Sequence, residues 1–346
     1  MKTKSQFIPL SEAFFQGMLS VERVGDTLRP WRLPHHRRHL FPSPDDRLMQ
    51  KAACTSGVRL RFATDAETLT LGFDPLPEPG SNLPNGHTFD AVIDNRIVQT
   101  VAGYGDATEV RFDACGTGFR TLELWLPPGC AVALRGLQLP VGARVMPVRD
   151  RRPMWVTWGS SLTHCVRAGS AARVWPATVA RRHNLNLVNL GFGGDCHLEP
   201  MVAMTIRDLP ASLISMKLGI NTISGSVNAR TYAALVTGAV AIVREKHPHT
   251  PLALISPMAA PRCESTPNVC GYTLQGMRRD MAAVCRALVA QGDRNLYYVD
   301  GLDFFGLDDI ARYATDDVHP NAEGIDLQAE RFSRRVMPLL LGNVSN

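Results

Sequence analysis

Four short blocks in the second half of the sequence hold the side chains that acyl transfer through a serine requires. They supply hydroxyls, flexible glycine backbone, an amide and an acid–imidazole pair: Gly159-Ser160-Ser161-Leu162, Gly191-Phe192-Gly193-Gly194, Gly219-Ile220-Asn221 and Asp316-Asp317-Val318-His319. A serine hydroxyl attacks a carbonyl carbon well only when an adjacent base takes its proton, and an imidazole held by a carboxylate is such a base. Backbone N–H groups and an amide can stabilise the oxyanion that forms.

The blocks lie at the ends of segments that the hydrophobic pattern predicts to be strands. Strand-like runs alternate with helical runs, the strands at 154–158, 187–190, 213–218, 252–256 and 296–299 and the helices at 171–183, 198–207, 230–246, 274–291 and 321–341. This alternation predicts βαβ units and a parallel sheet covered by helices on both faces. Ligands of such sheets bind beyond the carboxyl ends of the strands, which is where the pattern puts the blocks.

The first 148 residues show a different pattern. Short runs that alternate apolar and polar residues, such as 58–62 and 122–126, are separated by turn residues with no helical stretch between them. This spacing predicts a β-sandwich, and arginines at the alternate positions are expected to face solvent. We therefore predict two domains, a sandwich of residues 1–148 and an α/β domain of residues 149–346, joined near the polar segment 149–153.

Taken together, the blocks resemble those of the SGNH (GDSL) hydrolase family, in the family's order. The correspondences are Gly159-Ser160-Ser161-Leu162 for the GDSL block, with Ser160 where Asp is usual, Gly194 for the glycine block, Asn221 for the G-x-N block, and Asp316 and His319 for the D-x-x-H block. The resemblance implies a three-layer α/β/α, flavodoxin-like domain. The first half loosely resembles the jelly-roll-like sandwich that precedes this domain in some carbohydrate esterases and acyltransferase-like relatives.

The resemblance also implies roles for individual residues. Ser161 would be the nucleophile, His319 the general base and Asp316 the carboxylate that orients the imidazole. The oxyanion hole would be formed by the backbone N–H groups of Ser161 and Gly194 and by the side-chain amide of Asn221. No metal or organic cofactor is implied.

Each of these residues also has an ordinary structural alternative. Ser161 or Asn221 could cap a helix, Gly194 could serve only a turn, and Asp316 could cap the final helix instead of holding His319. The joint occurrence of the four blocks favours the catalytic interpretation over these alternatives.

The roles of three further residues, one within a block and two beside the blocks, stay open. Ser160 is a second candidate nucleophile, although the alignment of the block favours Ser161. His164 and His197 are candidates for lining a substrate pocket, with a structural role as the alternative for both.

Composition excludes several classes of protein. The 346 residues are 45% hydrophobic and 20% charged, as in an ordinary globular protein and unlike a disordered chain or a coiled coil. No apolar run approaches the ~18 residues of a membrane span, and the net charge of +5 gives little support for a nucleic-acid partner.

The first residues lack the features of a signal peptide, so we expect a cytoplasmic protein whose eight cysteines are mostly buried thiols. Cys263 and Cys270 could form a disulfide if the protein were exported.

Three functions remain after these exclusions. The leading hypothesis is a serine esterase that cleaves O-acyl esters, such as acetyl esters, of a small molecule or carbohydrate through an acyl-serine. The second is an O-acyltransferase of specialised metabolism that uses the same site. The third is a carbohydrate-binding protein with a vestigial site. The sequence leaves the oligomeric state open, a dimer included.

Overall fold

The computed structural model describes residues 4–76, 87–104, 106–314 and 316–342. Its first part is an antiparallel β domain. The strands are β1 (Ser5–Pro9), β2 (Phe15–Gln16), β3 (Ser20–Val24), β4 (Thr27–Trp31), β5 (Arg59–Thr64), β6 (Leu69–Leu76), β7 (His87–Ile93), β8 (Arg96–Gly103), β9 (Glu109–Phe112), β10 (Arg120–Trp125), β11 (Ala131–Pro140) and β12 (Val145–Pro147). One sheet has the order β3-β4-β11-β6-β9 with β1 added to β11, and the other has the order β12-β5-β10-β7-β8 with β2 added to β5.

The apolar residues of both sheets form one core between them. Alternate positions such as Leu60 and Phe62 on β5 and Leu122 and Leu124 on β10 are fully buried there. Period-two burial of this kind is what packs two sheets face to face, and it confirms the predicted sandwich. A helix that the sequence pattern did not predict, α1 (Arg47–Ala53), precedes β5 and packs toward the second domain.

The second part is a five-stranded parallel sheet. Its strands are β13 (Met154–Gly159), β14 (Asn186–Gly191), β15 (Leu213–Lys217), β16 (Leu252–Ile255) and β17 (Leu296–Val299), in the order β14-β13-β15-β16-β17. Every neighbouring pair is parallel, as predicted. The order places β13 next to β15, and the chain leaves β13 toward β14 but leaves β15 toward β16. The two connections therefore run in opposite directions from adjacent carboxyl ends, and a crevice opens between them.

Helices cover both faces of this sheet. In chain order they are α2 (Ser161–His164), α3 (Trp175–Arg182), α4 (Pro200–Asp208), α5 (Tyr232–Arg244), α6 (Leu274–Ala290), α7 (Gly301–Phe304), α8 (Leu307–Tyr313), α9 (Ala322–Arg335) and α10 (Met337–Leu341). Helices α4, α5 and α6 share one core with the sheet, and α3, α9 and α10 share the core on the other face. This is the predicted three-layer fold. The long helical run at 321–341 is divided in the structure into α9 and α10.

The expectation that the alternate arginines of the sandwich face solvent is wrong for Arg59. Its side chain is fully buried against the second domain, where it donates to Asp150 Oδ2 at 2.8 Å and to Asn186 Oδ1 at 2.7 Å. The guanidinium also lies 4.9 Å from the ring of Trp125. The outer face of β5 is therefore an interface between the domains, which period-two patterning cannot distinguish from a solvated face when the buried contacts are ionic.

The predicted boundary between residues 148 and 149 lies between β12 and β13, and we retain it as a proposal. Residues 1–3 and 343–346 of the predicted domains lie outside the described residues.

Within the part of the chain that the structure describes, no helix is long and apolar enough to cross a bilayer. The eight cysteines all lie among the described residues and form no disulfide there, and six of them are buried.

A buried lysine leads to a prediction about stability. The ammonium of Lys217, on β15, lies 5.3 and 5.2 Å from the ring centroids of Trp175 and Phe304. Burial lowers the pKa of Lys217 from 10.5 to about 7. Because the unfolded chain holds this proton up to about pH 10.5 and the folded chain releases it near pH 7, burial of Lys217 destabilises the fold most below pH 7, and this cost disappears as pH rises.

We expect Lys217→Met to be more stable than the wild type at neutral pH, with the difference shrinking as pH rises toward the pKa of free lysine. Urea unfolding of both proteins across this pH range measures the difference in the free energy of unfolding. Lys246→Met is the matched control, because Lys246 is exposed and pairs with Asp208 at the surface. A pH-independent difference for Lys217→Met would contradict the assignment.

Candidate active site

Two adjacent serines at the end of β13 have different environments. Ser160 is 1% exposed, and its Oγ caps α2 by accepting from the Leu162 N–H at 3.3 Å. Ser161 is the first residue of α2, and its Oγ lies 2.7 Å from Nε2 of His319. Of the two, it is Ser161 whose hydroxyl contacts the imidazole, across 158 residues of sequence.

The carboxylate of Asp316 lies on the other side of the imidazole. Nδ1 of His319 is 3.0 Å from Oδ2 and 3.1 Å from Oδ1 of Asp316, and the His319 backbone N–H donates to Oδ1 at 2.8 Å. Asp317, between them, adopts a left-handed conformation with φ of 63°, which Asp tolerates better than most residues. This tight turn lets Asp316 reach back to His319, so the pair is built almost entirely by local geometry.

Asp316 remains ionised throughout the neutral range. Burial alone would raise the pKa of this carboxyl, but the hydrogen bonds from the backbone and ring of His319 and the charge of Arg167 outweigh burial and lower the pKa to about 2. Arg167 donates to Oδ2 at 2.9 Å. Arg167 lies in the loop after α2 and belongs to none of the four blocks, so the sequence contained no signal that would have identified it.

The glycine turn after β14 lies beside the serine. A Cβ atom built on Gly193 would be 3.6 Å from Cβ of Ser161, so the turn passes directly over the nucleophile. Gly194, the predicted donor, has φ of 79°, a conformation that glycine adopts without strain. The turn therefore presents backbone, with no side chain, to a group bound at Ser161.

Asn221 is connected to the same turn. Its Oδ1 accepts from the Cys196 backbone N–H at 3.1 Å, which leaves the NH₂ end of the amide as the donor. Gly219, two residues earlier, has φ of 122°, and a Cβ there would lie 2.7 Å from the ring of Pro257. This glycine is needed for the sharp turn that brings Asn221 back to the crevice. The structure thus gathers all five sequence-predicted site residues at one end of the sheet.

The sandwich domain also reaches this site. Nη2 of Arg47, on α1, would be 3.0 Å from a Cβ built on Gly194, and its Nε is 3.7 Å from Oδ2 of Asp195. Arg47 could not be predicted from the sequence, because nothing in a sandwich sequence marks a residue that reaches across to another domain. In the described part of the chain no three His, Cys, Asp or Glu side chains are grouped so that they could hold a metal ion.

Comparison with protein-family models identifies both domains. Residues 152–337, more than half of the chain, match the model of the GDSL-like lipase/acylhydrolase family. The chain belongs to the GDSL-like lipase/acylhydrolase family. Residues 13–135 of this GDSL-like enzyme match a second model, the N-terminal domain of SsfX3. No curated protein matches the chain.

Solved structures resemble the GDSL-like enzyme over nearly its whole length. The salicylyl-acyltransferase SsfX3 from a tetracycline biosynthetic pathway is 32% identical and superposes with a TM-score of 0.88, with 97% of each chain covered. A protein assigned as a GDSL-like lipase from Bacteroides ovatus is 19% identical, with a TM-score of 0.78 over 97% of this chain and 98% of that one. A family two carbohydrate esterase from Clostridium thermocellum is 16% identical, with a TM-score of 0.61 over 84% and 94%. The last two are similar in fold alone.

Proposed function

We propose that this GDSL-like enzyme transfers an acyl group from an ester to the hydroxyl of a small molecule through an acyl-Ser161 intermediate. The observation that carries the proposal is the 2.7 Å contact between Ser161 Oγ and His319 Nε2, with Asp316 on the opposite ring nitrogen. The order hydroxyl, imidazole, carboxylate is the one that activates a serine.

The reaction has two steps. His319 Nε2 takes the Ser161 proton as Oγ attacks the acyl carbon, and the imidazolium then protonates the departing alcohol. In the second step the acceptor hydroxyl gives its proton to His319 and attacks the acyl carbon. The imidazolium then returns this proton to Oγ of Ser161 as the bond between Oγ and the acyl carbon breaks, which restores the free serine. Asp316 remains ionised throughout, because its pKa of about 2 keeps its negative charge next to the imidazolium at neutral pH.

Three donors would receive the oxyanion of each tetrahedral intermediate. The Ser161 N–H opens α2 and has no acceptor within that helix, so it can serve a ligand. The Gly194 N–H and the Asn221 NH₂ would provide the other two. Such donors are fixed before the reaction starts, and this preorganisation is what makes them effective.

Two features of the enzyme bear on the identity of the acceptor, its resemblance to a transferase and the exposure of its site. Whole-length similarity to a salicylyl-acyltransferase, in both domains, favours a hydroxyl acceptor over water. The exposure of the site favours the second candidate, hydrolysis of a short-chain ester such as an acetyl ester of a carbohydrate. The side chains of His319 and Asp316 are 32% and 41% exposed, so water can reach the imidazole.

Product analysis separates the two candidates. The enzyme is given p-nitrophenyl acetate or an aromatic acyl ester, with and without small polyhydroxylated acceptors, and the products are identified by mass spectrometry. Transfer gives an acylated acceptor at the expense of free acid. Free acid alone in every mixture would favour hydrolysis, and failure to release p-nitrophenol at all would contradict both.

Asn221→Asp provides a test of the oxyanion hole. The aspartate keeps an oxygen that can accept from the Cys196 N–H but replaces the NH₂ donor with a negative charge. We expect kcat to fall by at least the roughly 10²–10³-fold that the loss of one oxyanion donor costs. Steady-state kinetics and thermal unfolding are measured together. A large fall in kcat with little change in Tm is the expected result, and unchanged kcat would exclude Asn221 from the hole.

A further inference from the structure

His164 connects the glycine turn to the sandwich domain. It is the last residue of α2, three positions after Ser161, and is 2% exposed. The Gly193 backbone N–H is 3.3 Å from its Nδ1. On the opposite side of the ring, the carbonyl oxygen of Pro128 is 2.9 Å from Nε2. His164 therefore lies beneath the turn and does not line a pocket, one of the roles considered for it from the sequence.

These two partners determine the tautomer of the ring. Nε2 faces an acceptor, the carbonyl oxygen of Pro128 at 2.9 Å, and a donor, Nη2 of Arg32, at the longer distance of 3.4 Å. Nη2 donates instead to the carbonyl oxygen of Lys51, so Nε2 carries the hydrogen, and Nδ1 keeps the lone pair that accepts from Gly193. Burial first, and then the charge of Arg32, lower the pKa of His164 well below its ordinary value, so the ring remains neutral. A charged ring would put an N–H against the N–H of Gly193 and break this contact.

Residues of the sandwich domain hold the surroundings of the ring in place. Arg32 is fully buried and donates Nη1 to the carbonyl oxygens of Asn189 and Gly191 at 3.0 and 2.6 Å. Ser56 Oγ donates to the carbonyl oxygen of His164 at 2.6 Å. The end of α2 and the start of the glycine turn are thus fixed by hydrogen bonds from the other domain.

The glycine turn needs such a constraint from outside. Two successive glycines, Gly193 and Gly194, have no Cβ to restrict rotation of the peptide planes, so the direction of the Gly194 N–H is not fixed by local sterics. The bond from the Gly193 N–H to His164 Nδ1 fixes the peptide immediately before these two residues. A donor that is free to rotate would have to be reoriented during the reaction, which weakens its effect on the oxyanion.

We propose that His164 is a positioning residue of the oxyanion hole, which through its Nδ1 acceptor holds the Gly193–Gly194 backbone so that the Gly194 N–H points at the oxyanion. This inference rests on the proposed roles of Ser161 and Gly194. The sandwich domain contributes to the reaction through this ring, because Pro128 selects the tautomer that can accept from Gly193.

Two substitutions at His164 test the hydrogen bonds of its two ring nitrogens separately. The amide oxygen of asparagine can occupy the place of Nδ1, and the amide nitrogen of glutamine can occupy the place of Nε2. His164→Asn keeps the acceptor for Gly193 and loses the bond to Pro128, whereas His164→Gln keeps the bond to Pro128 and loses the acceptor. We expect kcat to stay within about tenfold of the wild type in His164→Asn. In His164→Gln we expect it to fall toward the roughly 10²–10³-fold loss of a missing donor, with KM little changed.

The order of stability should be the reverse of the order of activity. His164→Asn leaves the buried carbonyl oxygen of Pro128 unpaired, whereas His164→Gln frees the N–H of Gly193, a partly exposed residue that water can reach more easily. The asparagine variant should therefore have the lower Tm and the higher kcat. If His164 had only a structural role, the variant with the lower Tm would also have the lower kcat.

The experiment measures kcat and KM for p-nitrophenyl acetate, the rate of fluorophosphonate labelling, and Tm. His87→Asn and His87→Gln are the matched controls, because His87 is also buried but lies in β7 with Nδ1 3.1 Å from Cys130 Sγ. Both should leave kcat unchanged. If the wild type is active and the two His164 variants lose kcat equally, or the variant with the lower Tm also has the lower kcat, the positioning role of His164 is overturned. The proposed function is not affected by that outcome. A wild type that neither turns over the ester nor reacts with the probe overturns the proposed function and this role with it.

Discussion

Replacing Ser161 with alanine is expected to lower kcat for p-nitrophenyl acetate by about 10⁴- to 10⁶-fold, which is the range for removal of an activated serine. The reason is that, of the two adjacent serines, Ser161 is the one whose hydroxyl faces the imidazole. Ser161 Oγ is 2.7 Å from His319 Nε2, whereas Ser160 Oγ is buried and accepts from the backbone of α2. Activity is measured as release of p-nitrophenol and as covalent labelling by a fluorophosphonate.

Ser160→Ala is the matched control for this prediction. It removes the cap of α2, which is expected to lower stability by about 1 kcal/mol, but it leaves the hydroxyl of Ser161 in contact with the imidazole. We expect labelling of Ser161 to persist and kcat to stay within about tenfold of the wild type, since a cap acts on the helix and not on the reacting atoms. Labelling that survives in Ser161→Ala and disappears in Ser160→Ala would reverse the assignment of the nucleophile.

Asp316→Asn is expected to have the second largest effect, a fall in kcat of about 10⁴-fold. The environment of the carboxylate determines how the amide would orient. Oδ1 accepts from two backbone N–H groups, those of Val318 and His319, so the amide oxygen would take that place. The NH₂ would then replace Oδ2 and face Nδ1 of His319 and Nη2 of Arg167. A donor at Nδ1 favours the tautomer with hydrogen on Nε2, which cannot accept the serine proton.

The control is the neighbouring carboxylate. Asp317→Asn changes the same functional group one residue away, where the side chain pairs with Arg262 at 2.8 Å near the surface. We expect its effect on kcat to be less than about tenfold, because exposed ion pairs contribute little. A similar loss of kcat in both variants would mean that the shape of the loop is what matters, and not the hydrogen bond from Nδ1.

The low pKa of Asp316 adds a condition that can be checked. Its folded pKa of about 2 is below the ordinary value of 3.8, so the stability contributed by ionised Asp316 is present above about pH 3.8 and is lost as pH falls toward 2. The carboxylate is therefore constant across the neutral range. Any fall in activity between neutral and mildly acidic pH must come from another group.

Much of the fold could be predicted because its periodicity is strong. The five strands of the parallel sheet begin and end within about two residues of the predicted runs, as expected for short, fully buried apolar segments between helices. The hydrophobic pattern does not predict burial where the buried side chains are polar. Arg59 alternates with apolar residues as a solvated side chain would, yet it is fully buried by ionic partners from the segment between the domains.

The residues of the site also fall into those that the sequence could predict and those that it could not. Ser161, Asp316 and His319 could be proposed from the sequence because each lies in a block with its own local geometry, and Asp316 and His319 are joined by a single tight turn. Gly194 and Asn221 could be proposed for the same reason. Arg167 and Arg47 could not, because each reaches the site from a loop or helix whose local sequence is ordinary.

The sequence predicts which chemical groups this protein has and at which strand ends they occur, since local hydrophobic periodicity and turn residues are enough to define those ends. The three-dimensional fold is needed to define which serine contacts the imidazole, how Arg167 bonds to Asp316, and how His164 links Pro128 to Gly193. Hydrogen bonds between residues distant in sequence depend on tenths of an ångström and on bond direction. Those quantities are fixed by the packing of two domains against each other and leave no periodic trace along the chain.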